Sequence, residues 1–446
     1  MAVIKEKSTF GYTPEQYKKF RKNGILFLVL FSLLYCTLYC TRNNLSAAAV
    51  QMMDELGWTT ANIGLLKAVL FWSYGIGQLV SGRLCEIVGT NKLIILCVVL
   101  SASTSVIAGF QSELWVIAVL WAFNGFFQSM AWTPGLAAIT KWWPGSSRGF
   151  AMGYVNAFSG FAGAFCQISV VFALKAAPDL GWRAAAFIPA AFPVAMLIIF
   201  VIATKASPEK IGLPEYKEDD PVRAAQEAEM REIVKTKGAL YPFKYVLSNK
   251  SFIIWIIVAF VTGVARYGLC DWVPVYFNKV FGIDVTSGLI QSLVLPVGMG
   301  VGTLVLPALT DVIWKNNRLN HVILSAVVGA ATVATFLLLD PRVPTELVLI
   351  EILLFVAGFF IYAINGITWA YASDIGGRVF SGTSSGILNF CCYMGSAIQS
   401  IVYGFLLETC GWTVVFISIA SFCLLVAAIS AITVIAAAKK HKKVSV

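Results

Sequence analysis

The chain has 446 residues, 58% hydrophobic and only 13% charged, with a mean hydropathy of +0.79. Soluble domains are about one quarter charged, so the composition excludes an ordinary soluble domain and points to a chain that crosses a membrane many times. The formal charge of +10 does not call for nucleic acid, because Lys and Arg gather at the ends of apolar runs, where they act as orientation signals.

Residues 1–23 form a polar arm carrying Lys5, Lys7, Lys18, Lys19, Arg21 and Lys22, with no visible cleavable signal peptide. Apolar runs of the roughly 20 residues that a bilayer requires then lie near 24–52, 61–87, 92–110, 113–140, 148–174, 184–204, 251–279, 286–314, 319–339, 345–373, 380–407 and 412–438. Residues 206–250 are the one long linker. Within it Asp220-Pro221 reads as a helix N-cap and first turn, followed by a polar surface helix over 222–235. The stretch 205–250 holds nine Lys/Arg, the tail carries AKKHKK, and the loop after the first run has Asp54 and Glu55 without a cation. Positive-inside, with an even span count, predicts cytoplasmic termini and linker. The predicted organisation is an arm (1–23), a six-helix half (24–205), a linker (206–250), a second half (251–438) and a basic tail (439–446).

The halves echo one another. Arg42 and Arg266 are offset by 224 residues, GRLCEIVG (82–89) and PALTDVIW (307–314) by 225, LGWR (180–183) and CGWT (410–413) by 230, and GYVNAFSGFAGA (153–164) and GILNFCCYMGSA (386–397) by 233. Four matches at nearly one offset predict a duplicated all-α membrane fold of twelve helices in two pseudo-symmetric halves, with a site at their interface near mid-membrane. The ten cysteines fall mostly in apolar runs without metal-ligand spacing and read as small buried hydrophobes.

The residues that ask for an explanation are Arg42 and Arg266, each near the middle of the first span of its half. A charge there costs about 2.5–3.5 kcal/mol on insertion scales, and arginine does not shed its proton. Carboxylates to pair with are scarce: Asp271 is five residues from Arg266 and so points elsewhere on that helix, and Glu351 lies near a span end. The partner expected for both arginines is therefore the cargo, a small dianion held by two-pronged hydrogen bonds. Tyr35, Tyr39 and Arg42 share a helical face, where the phenols could donate to an oxyanion. Lys67, Tyr74 and Gln78 share a face of the second span; Lys67, nearer the outer end, either snorkels or lines an outer vestibule.

YCTLYCTRNN (35–44), ARYGLCDWVPVYF (265–277), MAWTPG (130–135) with KWWPGSSRG (141–149), and GRLCEIVGTNK (82–92) together resemble the organophosphate:phosphate antiporter family of the major facilitator superfamily, over almost the whole chain. The resemblance implies that Arg42 and Arg266 grip phosphate and that Tyr35, Tyr39, Trp132 and Tyr393 line the cavity. The family's glycerol-phosphate members have lysine where this chain has Gln78, histidine where it has Ser159, and tyrosine where it has Gly263, which leaves the ester open. Gln78 and Ser159 would offer neutral hydrogen bonds.

The expectation is a transporter, not an enzyme, without metal or cofactor, exchanging an organic phosphate ester for inorganic phosphate by alternating access, as a monomer in the lipid bilayer of a bacterial inner membrane. Two other readings stay open: a proton- or sodium-coupled symporter of organic anions such as carboxylates, and a transporter-like sugar-phosphate sensor.

Overall fold

The computed structural model describes residues 11–214, 240–313 and 318–444, with a few single positions between 225 and 238. The helix expected over 222–235 lies mostly outside the described residues. Among those described there are helices and no strands, as a bilayer demands of a backbone that finds no water to bond with.

Among the described residues twelve helices are long and apolar enough to cross a membrane: α1 (Pro14–Thr41), α2 (Thr60–Ser81), α3 (Thr90–Gly109), α4 (Leu114–Trp142), α5 (Phe150–Ala176), α6 (Arg183–Ala203), α7 (Lys250–Phe281), α8 (Val285–Leu306), α9 (Arg318–Phe336), α10 (Pro344–Trp369), α11 (Thr383–Thr409) and α12 (Trp412–Ile435). Exposed apolar side chains such as Phe123, Ile202, Ile352 and Ile432 face outward, where lipid would lie. Twelve crossings place Pro14 and Ile435 on one face, called terminal here; the other is the distal face.

α1 differs from its apolar run at both ends. It starts earlier, because Thr13 as N-cap and Gln16 form a capping box around Pro14 in the first turn. Lys18, Lys19, Arg21 and Lys22 are exposed on its first turns, which counting apolar residues does not register. It also ends sooner. The α-helix stops at Leu38, a 3-10 turn covers Tyr39–Thr41, and the chain continues as two short helices, Asn44–Ala47 and Ala49–Leu56. Arg42 thus sits at a helix break, whereas Arg266 lies inside an unbroken helix.

Helical backbone runs on from α10 into α11, yet Ser384 Oγ donates to Ala372 O at 2.6 Å across twelve residues. A straight helix would separate these by about 18 Å, so the chain doubles back there.

The halves are tied at the distal face. Glu408 at the end of α11 accepts from the Ala61 amide at the start of α2 (2.9 Å), and Thr60 Oγ1 donates to Gly404 O (2.8 Å). Lys279 pairs with Asp54 at 2.6 Å. Gly64 lies so close to the Ser400 carbonyl that a Cβ would collide with it, and Gly160 of α5 packs on Gly300 of α8, close approaches that small residues permit. Two turns from Gly160 along its own face, Gly153 has nothing within 4 Å of where a side chain would begin. The same is true of Gly386, two turns from Tyr393 on α11. These glycines occupy matching positions in the repeat, 233 residues apart.

Candidate functional site

At the break in α1, side chains of α4 bond the backbone. Arg42 N and Asn43 N both donate to Tyr39 O, and Thr41 Oγ1 donates to Leu38 O at 3.1 Å. Gln128 Nε2 donates to Leu38 O (3.2 Å) and Asn124 Nδ2 to Thr41 O (2.6 Å). Ser101 of α3 completes the cluster, donating to Asn124 Oδ1 at 2.5 Å and accepting from Gln128 Nε2 at 2.6 Å. A satisfied buried network of this kind fixes geometry.

Arg42, 1% exposed, is held by that network. Its Nε and Nη2 donate to Gln128 Oε1 at 3.3 and 3.0 Å, and Nη1 donates to Tyr35 Oη at 3.4 Å. Its Cζ lies 4.6 Å from the ring centroids of both Tyr39 and Tyr74. Arg266, 6% exposed, faces the rings of Tyr362 (4.1 Å) and Tyr267 (4.7 Å). Its Nη2 donates to Tyr39 Oη at 3.3 Å, and its buried Nε has no hydrogen-bond partner. The nearby Tyr267 hydroxyl is likewise buried without a partner. Among the described residues neither guanidinium has a carboxylate partner. Aromatic faces, a neutral amide and phenol oxygens offset the two charges in part, through contacts worth about 0.5–2 kcal/mol each, and leave them free to attract an anion.

The Major Facilitator Superfamily matches residues 31–400. The chain belongs to this superfamily. Its relatives within it include a probable hexose phosphate transport protein of Chlamydia pneumoniae (25% identical, covering 85% of this chain and 84% of the relative). A probable sulfoacetate transporter of Cupriavidus necator is 26% identical, covering 83% and 84%, and the glycerol-3-phosphate transporter of Bacillus subtilis is 27% identical, covering 87% of each. The fold is shared with a solved bacterial homologue of the human lysosomal transporter Spinster, inward-facing and unoccupied: TM-score 0.70, 14% identity, covering 94% of this chain and 97% of that one. The protein is a multi-pass membrane transporter of the superfamily, not an enzyme.

In this superfamily fold the predicted residues fall into three groups. Arg42, Tyr35, Tyr39 and Arg266 meet at the centre. Trp132 flanks them, its ring 4.8 Å from Tyr35, and Tyr393 joins from α11, 4.3 Å from Tyr74. Ser159 belongs at one remove: its hydroxyl shares a 2.9 Å hydrogen bond with Tyr362, the ring that covers Arg266. Gln78 is bound to α4, accepting from Thr133 Oγ1 (2.7 Å) and donating to Ser129 O (3.4 Å), with no direct bond to either arginine.

Lys67 requires a correction. It neither snorkels nor lines an open vestibule. It is buried and pairs across the halves with Asp271, 3.7 Å from Oδ1 and 3.3 Å from the backbone oxygen, over the Trp272 ring at 4.4 Å. The ion pair that Asp271 makes is with this lysine.

Sequence reading missed Gln128, Tyr267 and Tyr362. Asn124 and Gln128 were visible as a polar i, i+4 pair inside the apolar run of α4, and Tyr267 as the neighbour of Arg266. Nothing local marks Tyr362, which only the packing of α10 on α7 brings to Arg266.

Proposed function

We propose that this transporter exchanges an organic phosphate ester, a sugar phosphate or glycerol phosphate, for inorganic phosphate across a bacterial inner membrane, with its termini and linker in the cytoplasm. One observation carries the reading. Two permanent cations from corresponding helices of the halves are buried together among tyrosines, with no carboxylate paired to either among the described residues. Guanidinium geometry suits a tetrahedral dianion, and the Chlamydia and Bacillus relatives are named for hexose phosphate and glycerol-3-phosphate. Ligand binding would neutralise both charges and let the halves close over the site. An empty site keeps its cations uncompensated, so transit without cargo is disfavoured and exchange is coupled. Gln78 and Ser159 would meet the hydroxyls of the ester, and a single chain would suffice.

The test is counterflow. Proteoliposomes loaded with phosphate should take up labelled phosphate, and unlabelled glycerol phosphate or hexose phosphate should compete more strongly than succinate or sulfoacetate. The relative named for sulfoacetate favours one rival, an organic-anion transporter coupled to an ion. Strong competition by sulfoacetate, with uptake that needs an ion gradient, would establish that rival instead. Specific binding without exchange would indicate a sensor.

A further inference from the structure

The two arginines do not present the same edge. A guanidinium offers a side edge, Nε with Nη2, and an end edge, Nη1 with Nη2, and each can make a two-pronged bond. On Arg42 the side edge is taken, because Gln128 Oε1 accepts from both of its nitrogens. Gln128 is itself fully buried and fixed by Leu38 O, Thr41 Oγ1 and Ser101. On Arg266 the side edge is nearly vacant: Nε has no partner, and Nη2 meets only the neutral Tyr39 hydroxyl. The two arginines also differ in backbone setting. α1 breaks before Arg42, and Leu38 O and Thr41 Oγ1 at that break anchor Gln128, whereas α7 is continuous through Arg266.

Building on the anion-exchange reading above, we infer that the site divides the work. Arg266 grips the anion two-pronged through its side edge, and Arg42, locked by Gln128, adds only its end edge. Gln128 is thus a positioning residue that acts through Arg42. The buried, unpartnered Tyr267 hydroxyl beside Arg266 is a further donor on the gripping side.

The experiment measures the dissociation constant of inorganic phosphate, with sulfoacetate and succinate in parallel, on the full-length protein in detergent. Arg266→Gln should abolish binding, while Arg42→Gln should weaken it and leave it measurable. Gln128→Glu sets a carboxylate against the side edge of Arg42 and should raise the dissociation constant more than about tenfold, a charge-assisted bond replacing a neutral one. In the Arg42→Gln background the same change should matter less than about twofold, since contacting residues couple and a remote structural effect would add. Equal effects in both backgrounds overturn the positioning role. Loss of binding in both arginine variants, or in Arg42→Gln alone, overturns the division of work even where Gln128→Glu does not fold. A wild-type protein that binds sulfoacetate or succinate but not phosphate overturns the proposed function instead, and the same variants are then read with that anion. Binding of no dianion overturns both.

Discussion

Tyr39 Oη accepts a hydrogen bond from Arg266 Nη2 at 3.3 Å. The ring that carries this hydroxyl lies 4.6 Å from Arg42, so one side chain of α1 links both cations and both halves. Tyr39→Phe keeps the ring and removes the hydroxyl. A phenol can accept from Arg266 and donate to an oxyanion at once, so the variant should bind anion about two- to tenfold more weakly, the worth of one hydrogen bond. Competition constants in proteoliposomes check this; unchanged constants would confine Tyr39 to packing.

Arg42→Lys and Arg266→Lys should each remove most exchange although the charge is kept. An ammonium is a point donor without the planar fork. Counterflow normalised to inserted protein is the measurement, and full exchange by both variants would defeat the site.

The buried Lys67–Asp271 pair joins α2 to α7 across the halves. Removing one partner of a buried pair strands the other, at a cost of about 3–5 kcal/mol. Lys67→Met should therefore lower the melting temperature in detergent, and adding Asp271→Leu should recover most of the loss. If Lys67→Met melts like the parent, the pair contributes nothing to stability.

Exchange should persist when an ionophore collapses both pH and voltage differences. Among the described residues the one carboxylate buried between the halves, Asp271, is engaged by Lys67 at the distal side of the site. Loss of phosphate/phosphate exchange under these conditions would make the symporter the better reading.

Gln78 has an N–H left over after its bonds to Thr133 and Ser129. Gln78→Leu should weaken the ester more than inorganic phosphate, by about two- to tenfold for one lost hydrogen bond. Equal losses for the two ligands would mean that Gln78 serves only to hold α2 against α4.

Much of this was legible in the chain itself. Twelve spans follow from hydropathy, because the bilayer sets one length and one solvent for every helix. Arg42 and Arg266 stand out because a fixed charge in such a run demands a reason, and Tyr35 and Tyr39 follow from helical spacing. Other features depend on contacts between residues far apart in sequence, and those only the tertiary structure decides. The break at Arg42 is held open by Asn124 and Gln128, more than eighty residues away. Lys67 looked like a cation seeking water until α7 placed Asp271 against it, 204 residues on. Tyr362 carries no signal in its own stretch and reaches Arg266 only because α10 packs on α7. Sequence determined that two charges are buried; packing decided that one of them is already held along its side edge and that the other has its Nε free.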